Sequence, residues 1–403
     1  MPEAVIVSTA RSPIGRANKG SLVDLRPDDL ATTIVSAALD KVPQLDPNTV
    51  EDLMIGCAQP AGEQGYNLGR VVAVLAGLVD VPGTTVNRYC SSSLQTIRMA
   101  AHAIKSGEGD VFIAAGVECV SRFDKGRSDG GPGTTNDKFS EARSRTKARA
   151  EAGAPTWTPG EGLPDIYIAM GQTAENVVQA EGVTREEMDE FAARSQQRAV
   201  ESQHNGFFER EIIPVTLPDG TVVAKDDGPR DGTTVEKLSQ LKPVFRPDGS
   251  VTAGNACPLN DGAAAVIVMS DTRAEELGIT PLARIVSTGV SGLNPEIMGL
   301  GPIGACRMAL ARAGLTMDDI DLVEINEAFA AQVIPSAKHL GIPMDKLNIH
   351  GGGIALGHPF GMTGARIMTT LLNGLEDGGF RYGIESMCVG GGQGMAMIVE
   401  RLS

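Results

Sequence analysis

The clearest candidate for chemistry is Cys90, which lies in the run Asn87–Ser93, N-R-Y-C-S-S-S. A β-prone stretch precedes the run, and apolar residues three and four positions apart follow it as far as Gly107. This pattern predicts a strand that turns into a helix at Cys90. The serines are able to cap the first helical turn, and a helix N-terminus favours a thiolate, so we expect a lowered thiol pKa and a nucleophile. A buried cysteine that only packs is the alternative.

A histidine with a similar setting occurs late in the chain, at His358 in the motif G-H-P-F-G-M-T-G that starts at Gly357. The motif precedes a helical pattern, so His358 is also expected at a helix entry. A neutral imidazole beside a thiol can accept its proton, which is the usual activation of a cysteine nucleophile. On its own, a histidine between glycines is more often a turn residue.

Two further motifs carry groups that can stabilise charge. Cys388 begins the run C-V-G-G-G-Q-G, whose glycines leave backbone N–H groups free to face a developing oxyanion. Asn326 begins N-E-A-F-A directly after a predicted strand. Its amide can orient a water or a substrate carbonyl, or it can cap the next helix. Either motif alone is also typical of an ordinary turn.

Composition narrows the class of protein. The chain has 403 residues, 49 glycines, 4% aromatic residues and a net charge of −15, which favours an α/β protein of two to three domains and argues against general nucleic-acid or membrane-surface binding. The six cysteines include no C-x-x-C pair, so we expect neither a metal site nor a disulfide framework. Neither a secretory signal, a membrane-length apolar run nor a peroxisomal C-terminus is evident, so a cytoplasmic location is expected.

Hydrophobic periodicity predicts the elements that position these motifs. Strands are expected at 4–9, 52–55, 111–115 and 264–269, and helices at 28–38, 64–77, 171–180 and 185–203. Strands alternating with helices predict a largely parallel sheet. The segments 282–288 and 321–325 resemble 4–9 and 52–55, which indicates two similar halves. Residues 122–249 break the alternation, so we predict an N-terminal half at 1–121 plus 250–273, an inserted loop domain at 122–249 and a C-terminal half at 274–403.

Taken together, the four motifs resemble the thiolase family over nearly the whole chain, from A-R-S-P-I-G near the start to C-V-G-G-G-Q-G. The resemblance implies the thiolase fold, in which two βαβαβαββ halves form a five-layer αβαβα core with an inserted loop domain. It also implies that Cys90 is acylated, that His358 activates it, and that Cys388 transfers protons. One oxyanion hole would combine His358 with a water held by Asn326, and a second the backbone amides of Cys90 and Gly390.

The inserted segment supplies the coenzyme A site in this family. By resemblance, the CoA-binding residues are Arg230, Phe245, Ala253, Gly254, Cys257 and Met170. CoA and acyl-CoA are then substrates, and no permanently bound cofactor is expected. Four positions depart from the family pattern: Ser93 stands in place of a glycine, Cys257 and Thr363 in place of serines, and Ala169 in place of the histidine of short-chain biosynthetic members.

The departure at Ala169 favours a degradative enzyme of the fatty-acid β-oxidation type, which cleaves 3-ketoacyl-CoA with CoA into acetyl-CoA and a shortened acyl-CoA. Biosynthetic condensation of two acetyl-CoA molecules is the alternative. A ketoacyl synthase would need two histidines, or a histidine and an asparagine, beside the cysteine, and the second cysteine in C-V-G-G-G-Q-G argues against it. A non-catalytic acyl-CoA-binding protein would lack the nucleophile or the base, whereas this sequence has both. The family also implies a homodimer or homotetramer, and association with other β-oxidation enzymes is a further expectation.

Overall fold

The structure is a computed structural model that describes residues 2–403. The strands are β1 Ala4–Arg11, β2 Gly15–Arg16, β3 Asp52–Gly56, β4 Gly83–Val86, β5 Val111–Cys119, β6 Val215–Thr216, β7 Val222–Val223, β8 Asn260–Ser270, β9 Ala283–Gly292, β10 Leu322–Ile325, β11 Tyr382–Val389 and β12 Gln393–Arg401. The helices are α1 Pro27–Asp40, α2 Leu68–Leu75, α3 Ser92–Ser106, α4 Ser140–Arg149, α5 Met170–Glu181, α6 Arg185–His204, α7 Val235–Ser239, α8 Asp271–Leu277, α9 Gly301–Ala313, α10 Ala330–Leu340, α11 Gly353–Leu356 and α12 Thr363–Asp377.

The main sheet has the strand order β10-β11-β12-β9-β1-β8-β5-β3-β4, with β2 paired to β8. The two halves of the chain meet where β1 pairs with β9, at Val5–Arg284 and Ile6–Ala283. Read outward from that junction, β1-β8-β5-β3-β4 mirrors β9-β12-β11-β10, and a parallel bridge between Val323 and Leu347 lies where the β3–β4 pairing would recur. The repeat predicted from the sequence is therefore confirmed.

Three hydrophobic clusters fill the spaces between the five layers of the fold. One cluster packs α1 and α2 on the N-terminal strands, and another packs α9 and α10 on the C-terminal strands. The third holds α3 and α12 between the two sets of strands, with Leu94 and Ile97 of α3 and Ile367 and Leu371 of α12 all buried. Helices α3 and α12 are thus the central layer of the αβαβα core, and their first residues adjoin the predicted reactive motifs.

The expectation of a largely parallel sheet is wrong. Among the strands of residues 2–403, only the β3–β4, β3–β5 and β10–β11 pairs are parallel. The pairs β1–β8, β5–β8, β11–β12, β12–β9 and β1–β9 are antiparallel. The last strand of each half, β8 or β12, inserts beside the first strand of that half in the opposite direction, and alternation of strand and helix does not reveal an insertion of this kind. The predicted helix at 64–77 is also shorter, at Leu68–Leu75.

Candidate active site

Cys90 lies in a single 3₁₀ turn, Tyr89–Ser91, between strand β4 and helix α3. Tyr89 has a φ of 43°, an uncommon conformation for a residue with a side chain, and its N–H donates to Oδ1 of Asn87 at 2.8 Å. The turn carries Cys90 onto the end of the central helix, where its side chain is buried. The strand-to-helix position predicted for Cys90 is confirmed.

The serines after Cys90 do not cap the helix as expected. Ser91 Oγ and Ser92 Oγ donate to the carbonyl oxygens of Arg88 and Tyr89 at 3.2 and 2.7 Å. Ser93 Oγ instead accepts from the backbone N–H of Ala365 at 2.9 Å, which joins α3 to α12. The three hydroxyls therefore stabilise the tight turn and the contact between the two helices, because the first turn of α3 is buried against the other half of the protein.

The lowered pKa expected for Cys90 is also wrong. Burial raises the pKa of the Cys90 thiol to about 11, although the backbone N–H groups of Gly390 and Cys90 itself favour the thiolate. Desolvation of a thiolate in this interior outweighs the attraction of the helix N-terminus and of the nearby amides. At neutral pH the free protein therefore holds Cys90 as a thiol, and a base must remove its proton during the reaction.

His358 is buried and held in one orientation. Its Nδ1 lies 2.6 Å from Oγ1 of Thr363, and that hydroxyl donates to the carbonyl of Pro359 at 2.7 Å. A hydroxyl that has already donated its hydrogen can only accept from Nδ1, so Nδ1 carries the proton and Nε2 is the free acceptor. Burial, together with the charge of Arg366, lowers the pKa of His358 to about 3. His358 is therefore a neutral imidazole with its basic nitrogen available.

The backbone before His358 requires glycine. Gly357 has a φ of 114°, and a Cβ added there would lie 2.5 Å from Cγ of Asn260. The Asn260 side chain accepts from the backbone N–H of His358 at 3.0 Å and donates to the carbonyl of Gly15 at 3.0 Å. The close approach of glycine and asparagine thus fixes where the His358 main chain enters the site.

Asn326 lies next to His358. Its Nδ2 is 3.3 Å from Nε2 of His358, and its buried Oδ1 contacts no hydrogen-bond donor among the described residues. The Asn326 carbonyl accepts from Nε2 of Gln332 at 3.3 Å, and Oε1 of Gln332 accepts from the thiol of Cys388 at 2.9 Å. A continuous polar chain therefore joins His358, Asn326, Gln332 and Cys388.

Cys388 is the last but one residue of β11, and Gly391 and Gly392, both with a φ of 80°, turn the chain into β12. Burial raises the pKa of the Cys388 thiol well above its ordinary value, and the charge of a Cys90 thiolate nearby raises it further. The N–H of Gly390 faces Cys90 closely enough to lower the pKa of that thiol. The structure thus brings Cys90, Cys388 and Gly390 together, as it does His358 and Asn326.

Five of the six residues predicted to bind CoA line one cavity of about 440 Å³: Arg230, Phe245, Ala253, Gly254 and Cys257. Burial raises the pKa of the Cys257 thiol, and the charge of Cys90 adds to that rise, so the inner end of this cavity lies near the nucleophile. The sixth residue, Met170, does not line it. Met170 is the first residue of α5 and lines a second cavity instead.

The second cavity has a volume of about 500 Å³ and opens directly on Cys90. Its apolar wall comprises Ile166, Ile168, Met170 and Phe360, and its polar wall includes Gln59, Tyr89 and Asp129. Two cavities that both approach one thiol can hold the two parts of a substrate that reacts at that thiol.

Sequence reasoning missed three buried side chains that organise the site. Gln332 holds Cys388, as described above. Glu118 accepts from the backbone N–H groups of Ala58 and Gly361 at 2.8 and 2.9 Å, which joins the wall of the second cavity to the His358 turn. Glu296 accepts from Arg149, Trp157 and the N–H of Asp165 at 2.8–3.0 Å. Each is a polar residue in an apolar stretch, which was the only available signal.

Two negative findings apply to residues 2–403. No group of three or more His, Cys, Asp or Glu side chains is arranged to hold a metal ion there. No helix in that part of the chain is long and apolar enough to cross a membrane.

Family models for the thiolase N-terminal domain and the thiolase C-terminal domain match residues 4–272 and 279–401. A β-ketoadipyl-CoA thiolase of Acinetobacter baylyi is 44% identical over all of both chains. A 3-ketoacyl-CoA thiolase of Bacillus subtilis is 42% identical over 99% of this chain and all of its own. The crystal structure of the Bacillus anthracis acetyl-CoA acetyltransferase superposes with a TM-score of 0.88 at 39% identity, covering 100% of this chain and 99% of that one.

Proposed function

The chain belongs to the thiolase family and is an acyltransferase, and on that premise we propose that it cleaves 3-ketoacyl-CoA with CoA to give acetyl-CoA and an acyl-CoA shortened by two carbons. The observation that carries this proposal is a pair of cavities near Cys90, one that opens on this thiol and one lined by the neighbouring Cys257. A second thiol, Cys388, also lies near Cys90, and a polar chain joins Cys388 to the neutral His358.

In the first half of the proposed reaction, Nε2 of His358 takes the proton of the Cys90 thiol as the sulfur attacks the 3-keto carbon. The new Nε2–H, with a water held by Oδ1 of Asn326, would stabilise one of the two oxyanions that form during the reaction. The bond between C2 and C3 then breaks, its electron pair goes to C2 as an acetyl-CoA enolate, and the Cys388 thiol protonates that carbon. An acyl thioester on Cys90 remains.

In the second half, the Cys388 thiolate takes the proton from the thiol of an incoming CoA, and the CoA sulfur attacks the acyl-enzyme carbonyl. The backbone N–H groups of Cys90 and Gly390 are suited to the second oxyanion. Collapse of the tetrahedral intermediate releases the shortened acyl-CoA, and the proton held by His358 returns to Cys90. Both proton carriers rest in the protonation state that their first step requires, since Cys388 is a thiol and Nε2 of His358 carries no proton.

We assign the two cavities to the two parts of the substrate. The 440 Å³ cavity would take the pantetheine arm of CoA, with Phe245, Ala253 and Gly254 along it and Arg230 towards the phosphates. Leu238, Leu241, Val244 and Phe245 of its lining fall within 122–249, which supports that segment as an inserted CoA-binding unit. The 500 Å³ cavity would take the acyl chain. Met170 lies in that second cavity, so its proposed role is contact with the thioester end.

The size of the acyl cavity and the presence of Ala169 and Met170 at the start of α5 support the degradative direction on chains longer than acetoacetyl. A steady-state thiolysis assay with 3-ketoacyl-CoAs of increasing length, beginning at acetoacetyl-CoA, tests this. We expect kcat/KM to rise with length over the first few homologues. Activity confined to acetoacetyl-CoA would favour the biosynthetic alternative, and no cleavage at any length would refute the proposal.

We further propose a homodimer. Strand β4 is the last strand of the sheet, and its backbone edge has no partner strand in one chain. Beside it lie exposed apolar side chains, Tyr66 at 99% exposure and Val74, Leu75 and Val79 at about half. Light scattering should give at least twice the mass of one chain, and a monomer at micromolar concentration would contradict this. We also propose a reducing cytoplasmic location, which is supported by the six free cysteine thiols. Contact with other β-oxidation enzymes is a further part of the proposal.

A further inference from the structure

The polar wall of the acyl cavity contains a single charged side chain, the carboxylate of Asp129. The lining of this cavity contains no Lys, Arg or His. Any acyl chain that extends from Cys90 into this space therefore passes a fixed negative charge, while no lining group neutralises a second one.

Asp129 is held in place by Gln59. The Gln59 amide nitrogen donates to Oδ2 of Asp129 at 2.7 Å, and the amide oxygen accepts from the Asp129 N–H at 2.9 Å and from the Ser128 hydroxyl at 3.0 Å. Gln59 is itself buried, and its backbone N–H donates to the buried Glu118 at 3.2 Å. Although Asp129 lies at the exposed mouth of the cavity, its carboxylate is fixed by bonds on both its side chain and its backbone.

Asp129 also contacts the residue next to the nucleophile. The Tyr89 side chain lies on the wall of the same cavity, and burial, followed by the nearby charge of Asp129, raises the pKa of the Tyr89 hydroxyl. Tyr89 precedes Cys90, so the carboxylate is joined through one aromatic side chain to the turn that carries the acyl group.

Three guanidinium groups lie near the lining without forming part of it. Arg127 lies beside the exposed Gly130, where an added Cβ would be 3.6 Å from Nη2 of Arg127. Arg88 donates to Oε1 of Gln393 at 2.6 Å and to Oε1 of Gln95 at 3.0 Å. Arg143 donates to Oγ1 of Thr135 at 3.2 Å. Gln393 and Thr135 are the residues that face the cavity, so Arg88 and Arg143 are separated from an acyl chain by a neutral side chain, whereas Arg127 lies at the exposed end of the lining.

We propose that Asp129 is a specificity-determining residue that makes this acyl cavity reject chains ending in a carboxylate and accept neutral ones of the same length. The inference rests on the proposed thiolase function and deepens it by naming the substrate class. A terminal carboxylate would lose water of hydration in the cavity and would be repelled by Asp129, while no cation in the cavity lining compensates for this cost. The relative named for β-ketoadipyl-CoA shares the family, but an adipyl chain carries the kind of terminus that this cavity disfavours.

Two six-carbon substrates test this, 3-ketohexanoyl-CoA and 3-ketoadipyl-CoA, which differ only in that the second ends in a carboxylate. We expect the wild type to cleave 3-ketohexanoyl-CoA with a kcat/KM at least roughly tenfold higher, a typical effect of an uncompensated like charge. Asp129→Asn should raise kcat/KM for 3-ketoadipyl-CoA by roughly tenfold and change the value for 3-ketohexanoyl-CoA less than about threefold. Asp124→Asn also removes one negative charge, at a nearby position outside the cavity. It should change kcat/KM for neither substrate.

Equal or faster cleavage of 3-ketoadipyl-CoA by the wild type would overturn the inference. A preference for 3-ketohexanoyl-CoA that Asp129→Asn leaves unchanged would also overturn it, because another residue would then set the selectivity. If neither substrate is cleaved while the protein is folded, the proposed function itself fails, an outcome that is distinct from a change in the ratio. The far-UV circular dichroism spectrum and the urea unfolding midpoint of Asp129→Asn, compared with those of the wild type, check that this variant is folded.

Discussion

The thiol of Cys388 donates a 2.9 Å hydrogen bond to Oε1 of Gln332, and both side chains are buried. This bond fixes the direction in which the Cys388 hydrogen points at rest. Gln332 also donates to the carbonyl of Asn326, so one amide orients the proton donor and the residue proposed to hold the oxyanion water. In the proposed reaction, Gln332 is a positioning residue for carbon protonation.

Replacing Gln332 by Leu removes the acceptor and should lower the rate of carbon–carbon cleavage by roughly tenfold to a hundredfold, because a misaligned acid loses part of its catalytic contribution. Acylation of Cys90 by acetyl-CoA should change little. The thiolysis rate and the mass of the acyl-enzyme measure the two separately. Ser336→Ala is the control, since it removes another buried polar group from α10 without touching Cys388. An equal loss in both half-reactions would show a general structural defect instead.

Cys90 and Cys388 should have different roles. Cys90→Ala should take up no acetyl group from acetyl-CoA and lose all turnover, because the acyl group has no other acceptor at the start of α3. Cys388→Ala should still be acetylated but lose carbon–carbon cleavage by about three to four orders of magnitude, the usual contribution of a general acid and base. Intact-protein mass spectrometry measures the acetylation. Acetylation of the Cys90 variant but not of the Cys388 variant would mean that the roles are reversed.

Buried His358 should make the protein sensitive to acid. Its pKa is lowered from 6.5 to about 3, so the unfolded chain binds a proton between these values that the folded chain does not. Stability should therefore fall as pH drops from about 6.5 towards 3, by on the order of 4 kcal/mol in total. Urea unfolding at pH 7 and pH 5 measures the first part of this loss. His358→Asn should show a smaller loss between the same two pH values, and an equal loss in both proteins would contradict the prediction.

Glu296 should control the acyl cavity from a distance. Its carboxylate accepts from Arg149, Trp157 and Asp165, and Ile166 and Ile168 of the cavity wall follow directly. Glu296→Ala leaves the Trp157 ring N–H and the Asp165 backbone N–H without this buried acceptor and removes the ion pair with Arg149, at a loss of about 2–4 kcal/mol in stability. We expect faster proteolysis within 150–165 and a higher KM for longer acyl chains.

Glu141→Gln is the control for Glu296→Ala. Glu141 pairs with Arg145 on helix α4, which also carries Arg149, but the Glu141 side chain is 88% exposed. This substitution should change neither the proteolysis pattern nor the KM. If Glu296→Ala instead lowers kcat for every chain length to the same degree with an unchanged KM, Glu296 does not act through the cavity wall.

Local patterns predicted much of this molecule. The strand before Cys90, helix α3 and its end at Gly107 follow from apolar spacing and from a glycine with a φ of 80°. Cys90, His358, Asn326 and Cys388 each lie at the end of a strand or just before a helix, as their local sequence predicted. What these patterns describe is local geometry, and the predictions succeeded where local geometry decided the outcome.

The remainder depends on contacts between distant parts of the chain. The antiparallel insertion of β8 and β12, the use of Ser93 to bind Ala365 and the carboxylate of Glu118 across both halves involve residues far apart in sequence. The pKa of Cys90 was predicted in the wrong direction for the same reason. The helix N-terminus is visible in the sequence, whereas the burial that outweighs it comes from the other half of the fold.

The contact between helices α3 and α12 affects when the site can form during biosynthesis of the chain. Cys90 adjoins the first helix and His358 the second, and the chain between them is more than half the protein. A ribosome that has completed only the N-terminal half has therefore produced a cysteine with no base beside it. In the proposed reaction, the Cys90 thiol therefore lacks its base until the segment that carries His358 and α12 has been synthesised and has docked on α3.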